Sequence, residues 1–212
     1  MLALEQLRIL SLRLEQLARQ RPARIMAVTS AMANEGKSTI SANLALVLAK
    51  DFSRNTLLVD ADFRHPSLAT WFGGNFSHGL REVLKGEVPP AAARWQMREK
   101  QLTLLPLIAA DPTLAPLLSQ PEVRKRFAEA LQGFDTVIID TPPMLPLADC
   151  TMLADFVDGF IFVVKAEETP RRLITSATRA LPADKLLGYV LNGAKSFGRT
   201  AYGYLYGSPR TY

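Results

Sequence analysis

Ala31 to Ser38 read AMANEGKS, a turn of small and polar residues that ends in a lysine followed by a serine. The order matches a P-loop with alanine in place of the usual first glycine. In such a loop the backbone amides cradle phosphate at the start of a helix. The Lys37 ammonium reaches the β and γ phosphates of a nucleotide, and the Ser38 hydroxyl binds Mg²⁺. Asn34, Glu35, Gly36, Lys37, Ser38 and Thr39 are therefore the expected ATP-binding residues. Two carboxylate-bearing segments accompany the loop. Leu57 to Arg64, LLVDADFR, ends an apolar run with Asp60 and Asp62 at i and i+2, and Thr136 to Pro143, TVIIDTPP, ends another with Asp140. If both runs are parallel strands, these carboxylates reach the C-terminal edge of the sheet, where ligands bind. Asp140 takes the position of an aspartate that holds a Mg²⁺ water shell. Ser38, Asp60 and Asp140 form the expected metal side, with Asp62 close by. The plain alternative for each aspartate is a turn or a helix cap.

The elements that must position these groups follow from apolar periodicity. Leu4, Leu7, Leu10, Leu14 and Leu17 recur at three- and four-residue intervals, which predicts an amphipathic helix over the first twenty residues. Arg21 and Pro22 end it. Arg24 to Thr29 reads as a short buried strand, the P-loop as the turn after it, and Lys37 to Lys50 as the following helix. Further apolar runs at Thr56 to Val59, Leu102 to Leu105, Thr136 to Ile139, Phe160 to Val164 and Leu187 to Leu191 predict five more strands. Helices fit between most of them, notably at Pro121 to Leu131 and Arg171 to Leu181. Continuous apolar strands alternating with helices predict a doubly wound α/β fold, a mostly parallel sheet with helices on both faces. Within the last of these runs, Tyr189 is expected in the core. Phe63 to Arg98 and the end of the chain show no such period and read as surface segments. The expected organisation is an N-terminal helix over 1–22, a P-loop domain over 23–195, and a flexible tail over 196–212 in which tyrosine alternates with glycine.

Composition excludes several classes of function. The 212 residues are 48% hydrophobic and 21% charged, enough apolar material for one large domain and too little charge for global disorder. One cysteine, Cys150, excludes an internal disulfide or a Cys-rich metal site, and His65 and His78 have no metal-ligand spacing. No run is long enough for a membrane span, and no signal-peptide pattern opens the sequence, so the expected location is the cytoplasm. The net charge of +5 and pI near 9.5 suit phosphate, nucleic acid or an anionic surface equally. The basic residues form no single stripe, and Trp71 and Trp95 have no nucleic-acid spacing, which argues against nucleic acid.

Taken together, these motifs resemble those of the bacterial tyrosine kinases, autophosphorylating enzymes of capsule and exopolysaccharide synthesis that share ancestry with the partition and division-site ATPases. The family's second nucleotide motif, three apolar residues then Asp-x-Asp-x-Arg, stands here as Leu57 to Arg64, and its Asp-Thr-Pro-Pro segment as Asp140 to Pro143. The resemblance extends over Gly79 to Glu87, Leu117 to Asp149, Leu191 to Gly193 and the tyrosine tail, nearly the whole chain. It implies that Asn192 reads the adenine edge. Where the family loop commonly reads Pro-Gly-Glu-Gly-Lys-Ser, Asn34 replaces the first of those glycines, and asparagine tolerates positive φ better than most residues. The first helix is similar to the family's Glu-x-x-Arg-x-x-Arg subunit-contact motif, with Glu5 and Arg8 in place and Ser11 at the last arginine.

The resemblance implies a tyrosine autokinase that uses ATP and Mg²⁺ and modifies its own Tyr202, Tyr204, Tyr206 and Tyr212, between the subunits of a homo-oligomer such as a ring. Lys37 and the loop amides neutralise the γ phosphate, Asp60 accepts the tyrosine proton, and Asp62 joins the catalytic set with Arg64 as its pairing partner. An aspartate near pKa 4 is a weak base for a phenol near 10, so orientation is a large part of that role. Seventeen residues from Ser196 onward span roughly 55 Å when extended, enough to reach a neighbouring subunit. The implied partners are a transmembrane polysaccharide co-polymerase, which supplies an activating cytoplasmic segment at the inner face of the membrane, and protein substrates of polysaccharide synthesis. The chain is then either the separate cytoplasmic half of such a system or part of one fused polypeptide. Two other readings stand beside this one: an ATP-hydrolysing spatial switch of the partition or division-site type, and a catalytically silent adaptor of a polymer-export complex. The loop lacks the extra lysine usual in the switches, and the tail lacks their apolar-basic membrane helix.

Overall fold

A computed structural model of the chain describes residues 2–145 and 150–194. Seven strands form one sheet: β1 (Ile25–Ser30), β2 (Thr56–Asp60), β3 (Trp95–Gln96), β4 (Leu102–Leu105), β5 (Thr136–Asp140), β6 (Gly159–Lys165) and β7 (Leu186–Asn192). Their spatial order is β3-β4-β2-β5-β1-β6-β7, parallel throughout except for the short antiparallel edge strand β3. Consecutive residues of the central strands face opposite helical layers, and both faces are dry, which is why the runs are apolar without alternation. Leu57, Val59, Val137 and Ile139 join one core, while Leu58, Ile138 and Val28 join the other.

The second core is closed by helix α1 (Leu2–Ala18) and helix α2 (Lys37–Asp51). The leucine stripe of α1 turns inward as expected: Leu14 is buried, and Leu7 and Leu10 pack against Leu44 and its neighbours. Arg8 Nε donates to Asp51 Oδ2 at 2.7 Å, and Arg54 pairs with Glu15, so charges at both ends of the contact tie α1 to the domain. Ser11 lies on this buried face, where its hydroxyl donates to the Leu7 carbonyl at 2.9 Å.

Phe63 to Arg98 is more than a surface segment. It holds helices α3 (Leu68–Phe72), α4 (Leu80–Lys85) and α5 (Pro90–Ala93) together with β3, and it sends Phe63, Leu68, Leu80, Val83, Leu84 and Ala93 into full burial. Helices of four to six residues are too short to display a 3.6-residue period. Gly86, at φ 74°, ends α4 in a left-handed turn, and in the sequence such glycines read as loop. Helix α6 (Leu114–Leu117), helix α7 (Pro121–Ala130) and helix α8 (Arg171–Arg179) pack on the first core. The expected α7 and α8 are found close to their predicted bounds.

Tyr189 departs from expectation. It is 55% exposed, touching Phe162 edge-on at 5.8 Å between ring centroids. β7 is the sheet edge, where an apolar strand can keep a wet face.

Candidate active site

The P-loop leaves β1 and enters α2 through two left-handed residues, Asn34 at φ 64° and Gly36 at φ 94°. Asparagine thus occupies the positive-φ position for which its short polar side chain is suited. Gly36 is required for a second reason. A Cβ there would lie 2.1 Å from Asn192 Nδ2, which donates to the Glu35 carbonyl oxygen at 3.0 Å. The end of β7 is therefore packed onto the loop backbone. Asn192, the residue the resemblance assigns to the adenine edge, stands beside the loop and is bonded to it through its amide nitrogen.

Glu35 belongs to the loop by backbone and to its support by side chain. The residue is 3% exposed, Met32 N–H donates to its Oε2 at 2.9 Å, and the Thr169 hydroxyl donates to Oε1. Thr169 in turn accepts from Lys165 N–H at 3.0 Å, so the loop is tied to the end of β6. Lys37, 6% exposed, begins α2. Asn34, Gly36, Lys37, Ser38, Thr39 and Asp62 line one cavity of about 500 Å³ whose rim includes His65 and Trp71.

Asp60 and Asp140 lie side by side on adjacent strands and are fully buried. Asp60 Oδ2 accepts Ser67 N–H and Leu68 N–H, each at 3.0 Å, and Oδ1 accepts Asp62 N–H at 3.3 Å. It thereby caps the start of α3. Asp62 Oδ1 accepts His65 N–H at 3.0 Å and Arg64 N–H at 3.3 Å. The capping role and the sheet-edge position are thus combined in the same residues. Asp140 Oδ1 accepts the Ser41 hydroxyl at 2.9 Å, whereas its buried Oδ2 has no hydrogen-bond partner among the described residues. Burial, with Asp140 adding repulsion, pushes Asp60 up to about 8 despite its three backbone donors. Burial also raises Asp140 to about 6, although the Ser38 hydroxyl and Lys37 ammonium pull it down.

Two adjacent carboxylates held in dry surroundings, one with an unpartnered oxygen, fit a divalent cation. No cluster of three or more His, Cys, Asp or Glu is present among the described residues. A cation here takes few protein ligands and completes its shell with water and phosphate, as Mg²⁺ does.

Sequence reasoning missed Ser41, Thr169, Trp71 and His65. Ser41 was within reach, since it stands one helical turn after Lys37 on the face toward β5. Thr169 carries no local signal. Tyr202, Tyr204, Tyr206 and Tyr212 lie outside the described residues.

The AAA domain family matches residues 23–170. Over 202 residues, the tyrosine-protein kinase YwqD of Bacillus subtilis strain 168 is 36% identical, a match covering 94% of this chain and 85% of that one. The chain belongs to the bacterial tyrosine kinases. A further relative, the succinoglycan biosynthesis transport protein ExoP of Rhizobium meliloti strain 1021, is 37% identical over 175 residues; the match takes in 80% of this chain and 22% of that longer protein. Among solved structures, the chimerical protein CapA2B2 superposes with a TM-score of 0.81 at 26% identity, covering 88% of this chain and 83% of its own. The septum site-determining protein MinD of Pyrococcus horikoshii OT3, complexed with Mg-ADP, shares the fold at TM-score 0.66 and 24% identity, over 80% of this chain and 70% of that one. The doubly wound P-loop fold of the kinase family and of the division-site ATPases is thus the fold of this chain.

Proposed function

We propose that this protein transfers the γ phosphate of ATP to tyrosines of its own C-terminal segment, between copies of the chain, and so regulates exopolysaccharide or capsule synthesis and export. The observation that carries the reading is that Lys37, Ser38 and Asp62 line one cavity while buried Asp140, paired in register with Asp60, is hydrogen-bonded to Ser38 in a chain of this family. Lys37 and the loop amides of Asn34 to Thr39 hold the phosphates and offset charge that builds as the γ phosphoryl group leaves. Ser38 and Asp140, with Asp60 beside them, hold Mg²⁺, which when bound neutralises phosphate charge. Asp62 lines the cavity and orients the attacking hydroxyl. Asp60 receives the phenol proton. Asn192 reads the adenine edge.

Partners follow from the family and from ExoP: a transmembrane polysaccharide co-polymerase that holds the chain at the inner face of the membrane, and protein substrates in polysaccharide synthesis. No helix among the described residues is long and apolar enough to cross a membrane. For the homo-oligomer, Glu5 is the exposed contact on α1, with Arg8 shared between Glu5 at 3.6 Å and Asp51. Four phosphotyrosines add about −6 to −8 charges to a chain of net charge +5, which favours dispersal of an assembly once it is phosphorylated.

The test is incubation of the full chain with Mg-ATP, with and without the cytoplasmic segment of a co-polymerase, followed by phosphosite mapping on wild type, Lys37→Met, Asp60→Asn and Asp62→Asn. Phosphate on the tail tyrosines of wild type, absent from Lys37→Met and falling by about a hundredfold or more in rate in Asp60→Asn, is the expected result. A larger loss in Asp62→Asn would exchange the roles of the two carboxylates. ATP turnover with no phosphotyrosine under either condition would overturn the kinase reading in favour of a spatial switch.

A further inference from the structure

A second cavity, of about 410 Å³, opens in front of the P-loop and shares Ala33, Asp62, His65 and Pro143 with the phosphate cavity. Its remaining walls are mostly apolar, with Met32 from the loop, Pro142 and Leu145 from the segment after β5 and Leu173 from α8, and Arg64 is the one charged residue outside the shared wall. Nothing in phosphate binding calls for these four apolar side chains. Pro142 is buried and fixes the floor, whereas Met32 is 44% exposed and forms a rim that can yield to a ligand. Asp62 stands on the shared wall, so a hydroxyl brought to it from the apolar side meets the phosphate cavity end-on.

We propose that this apolar cavity is the acceptor slot for the aryl ring of an incoming tyrosine, and that Met32, Leu145 and Leu173 set the preference for tyrosine over serine or threonine. The inference rests on the kinase reading and adds a location and a basis for selectivity. A phenol carries its hydroxyl beyond a rigid apolar ring, so a slot that buries the ring delivers the oxygen to Asp62. Serine and threonine carry theirs on the first side-chain carbon. Their hydroxyl reaches the same point only if peptide backbone enters an apolar slot that offers it few hydrogen-bond partners. Ring burial also supplies binding energy that a methyl-sized side chain lacks. The shared wall makes this the only one of the two cavities that adjoins the phosphates without being lined by Lys37 and Ser38.

The experiment uses full-length enzyme, with a full-length Lys37→Met copy as the tyrosine acceptor, and follows radiolabel transfer against acceptor concentration. Leu173→Gln and Met32→Gln make the slot polar at nearly constant volume, and Leu173→Met keeps it apolar. Each glutamine variant should raise the acceptor KM about tenfold with kcat changed less than about threefold, the Mg-ADP Kd should stay within about twofold of wild type, and Leu173→Met should behave as wild type. An unchanged acceptor KM in both glutamine variants, with wild-type transfer intact, would overturn the slot and leave the kinase reading standing. Absence of transfer by wild-type enzyme that still binds Mg-ADP would overturn the kinase reading itself. Should Leu173→Gln fail to fold, the exposed Met32 rim decides the matter alone.

Discussion

Replacing Gly36 with alanine tests how β7 supports the phosphate loop. At φ 94° a non-glycine residue is strained by about 1–3 kcal/mol. The new methyl also lies 2.1 Å from Asn192 Nδ2 and 3.3 Å from its Cγ, so the amide must swing away and give up its bond to the Glu35 carbonyl. That bond contributes about 1 kcal/mol. Gly36→Ala should therefore cost about 2–4 kcal/mol and Asn192→Ala about 1 kcal/mol. The double variant loses the same hydrogen bond only once, because the clash has no partner left. Its cost should fall short of the summed single costs by about 1 kcal/mol, a coupling readable from urea unfolding of the four proteins in one buffer. Additivity to within about 0.3 kcal/mol would show that Asn192 does not hold the loop, and the account of Gly36 would reduce to backbone strain alone.

The buried aspartate pair predicts a pH dependence of opposite sign to ordinary acid denaturation. Asp60 titrates near 8 when folded and near 3.8 when unfolded, so between these values the folded chain binds more protons and loses stability as pH rises. In metal-free buffer, wild type should lose about 2 kcal/mol between pH 6 and 8 relative to Asp60→Asn, measured by chemical unfolding; parallel profiles for the two proteins would contradict the raised pKa. Glu35→Ala leaves the Met32 N–H and the Thr169 hydroxyl without their acceptor. It should destabilise the chain by about 2 kcal/mol and weaken Mg-ADP, with Thr169→Val costing about half as much, by thermal unfolding and calorimetric titration.

The phosphate loop, the carboxylates after β2 and β5, and the layering of the sheet were all legible in the linear order of residues. Each depends on local chemistry: a glycine before lysine and serine, or an aspartate ending an apolar run that must be dry on both faces. Asn34 at a left-handed position was legible for the same reason, since positive φ is a property of one residue and its backbone. The helices between Phe63 and Arg98 were hidden because four to six residues cannot express a helical period. Tyr189 was misplaced because an apolar strand at the centre of a sheet and one at its edge look alike in one dimension.

What the linear chain could determine by itself was which groups are candidates for the chemistry and which end of the sheet they occupy. Tertiary structure alone decided that Asn192 packs on Gly36 from 156 positions away, that Thr169 tethers Glu35, and that strand register sets Asp60 beside Asp140. Those contacts join segments distant in sequence, and burial rather than composition moves the two aspartates away from an ordinary carboxylate pKa. Local preference fixes torsions and periodicity over a few residues, whereas desolvation and charge proximity exist only once the strands lie side by side.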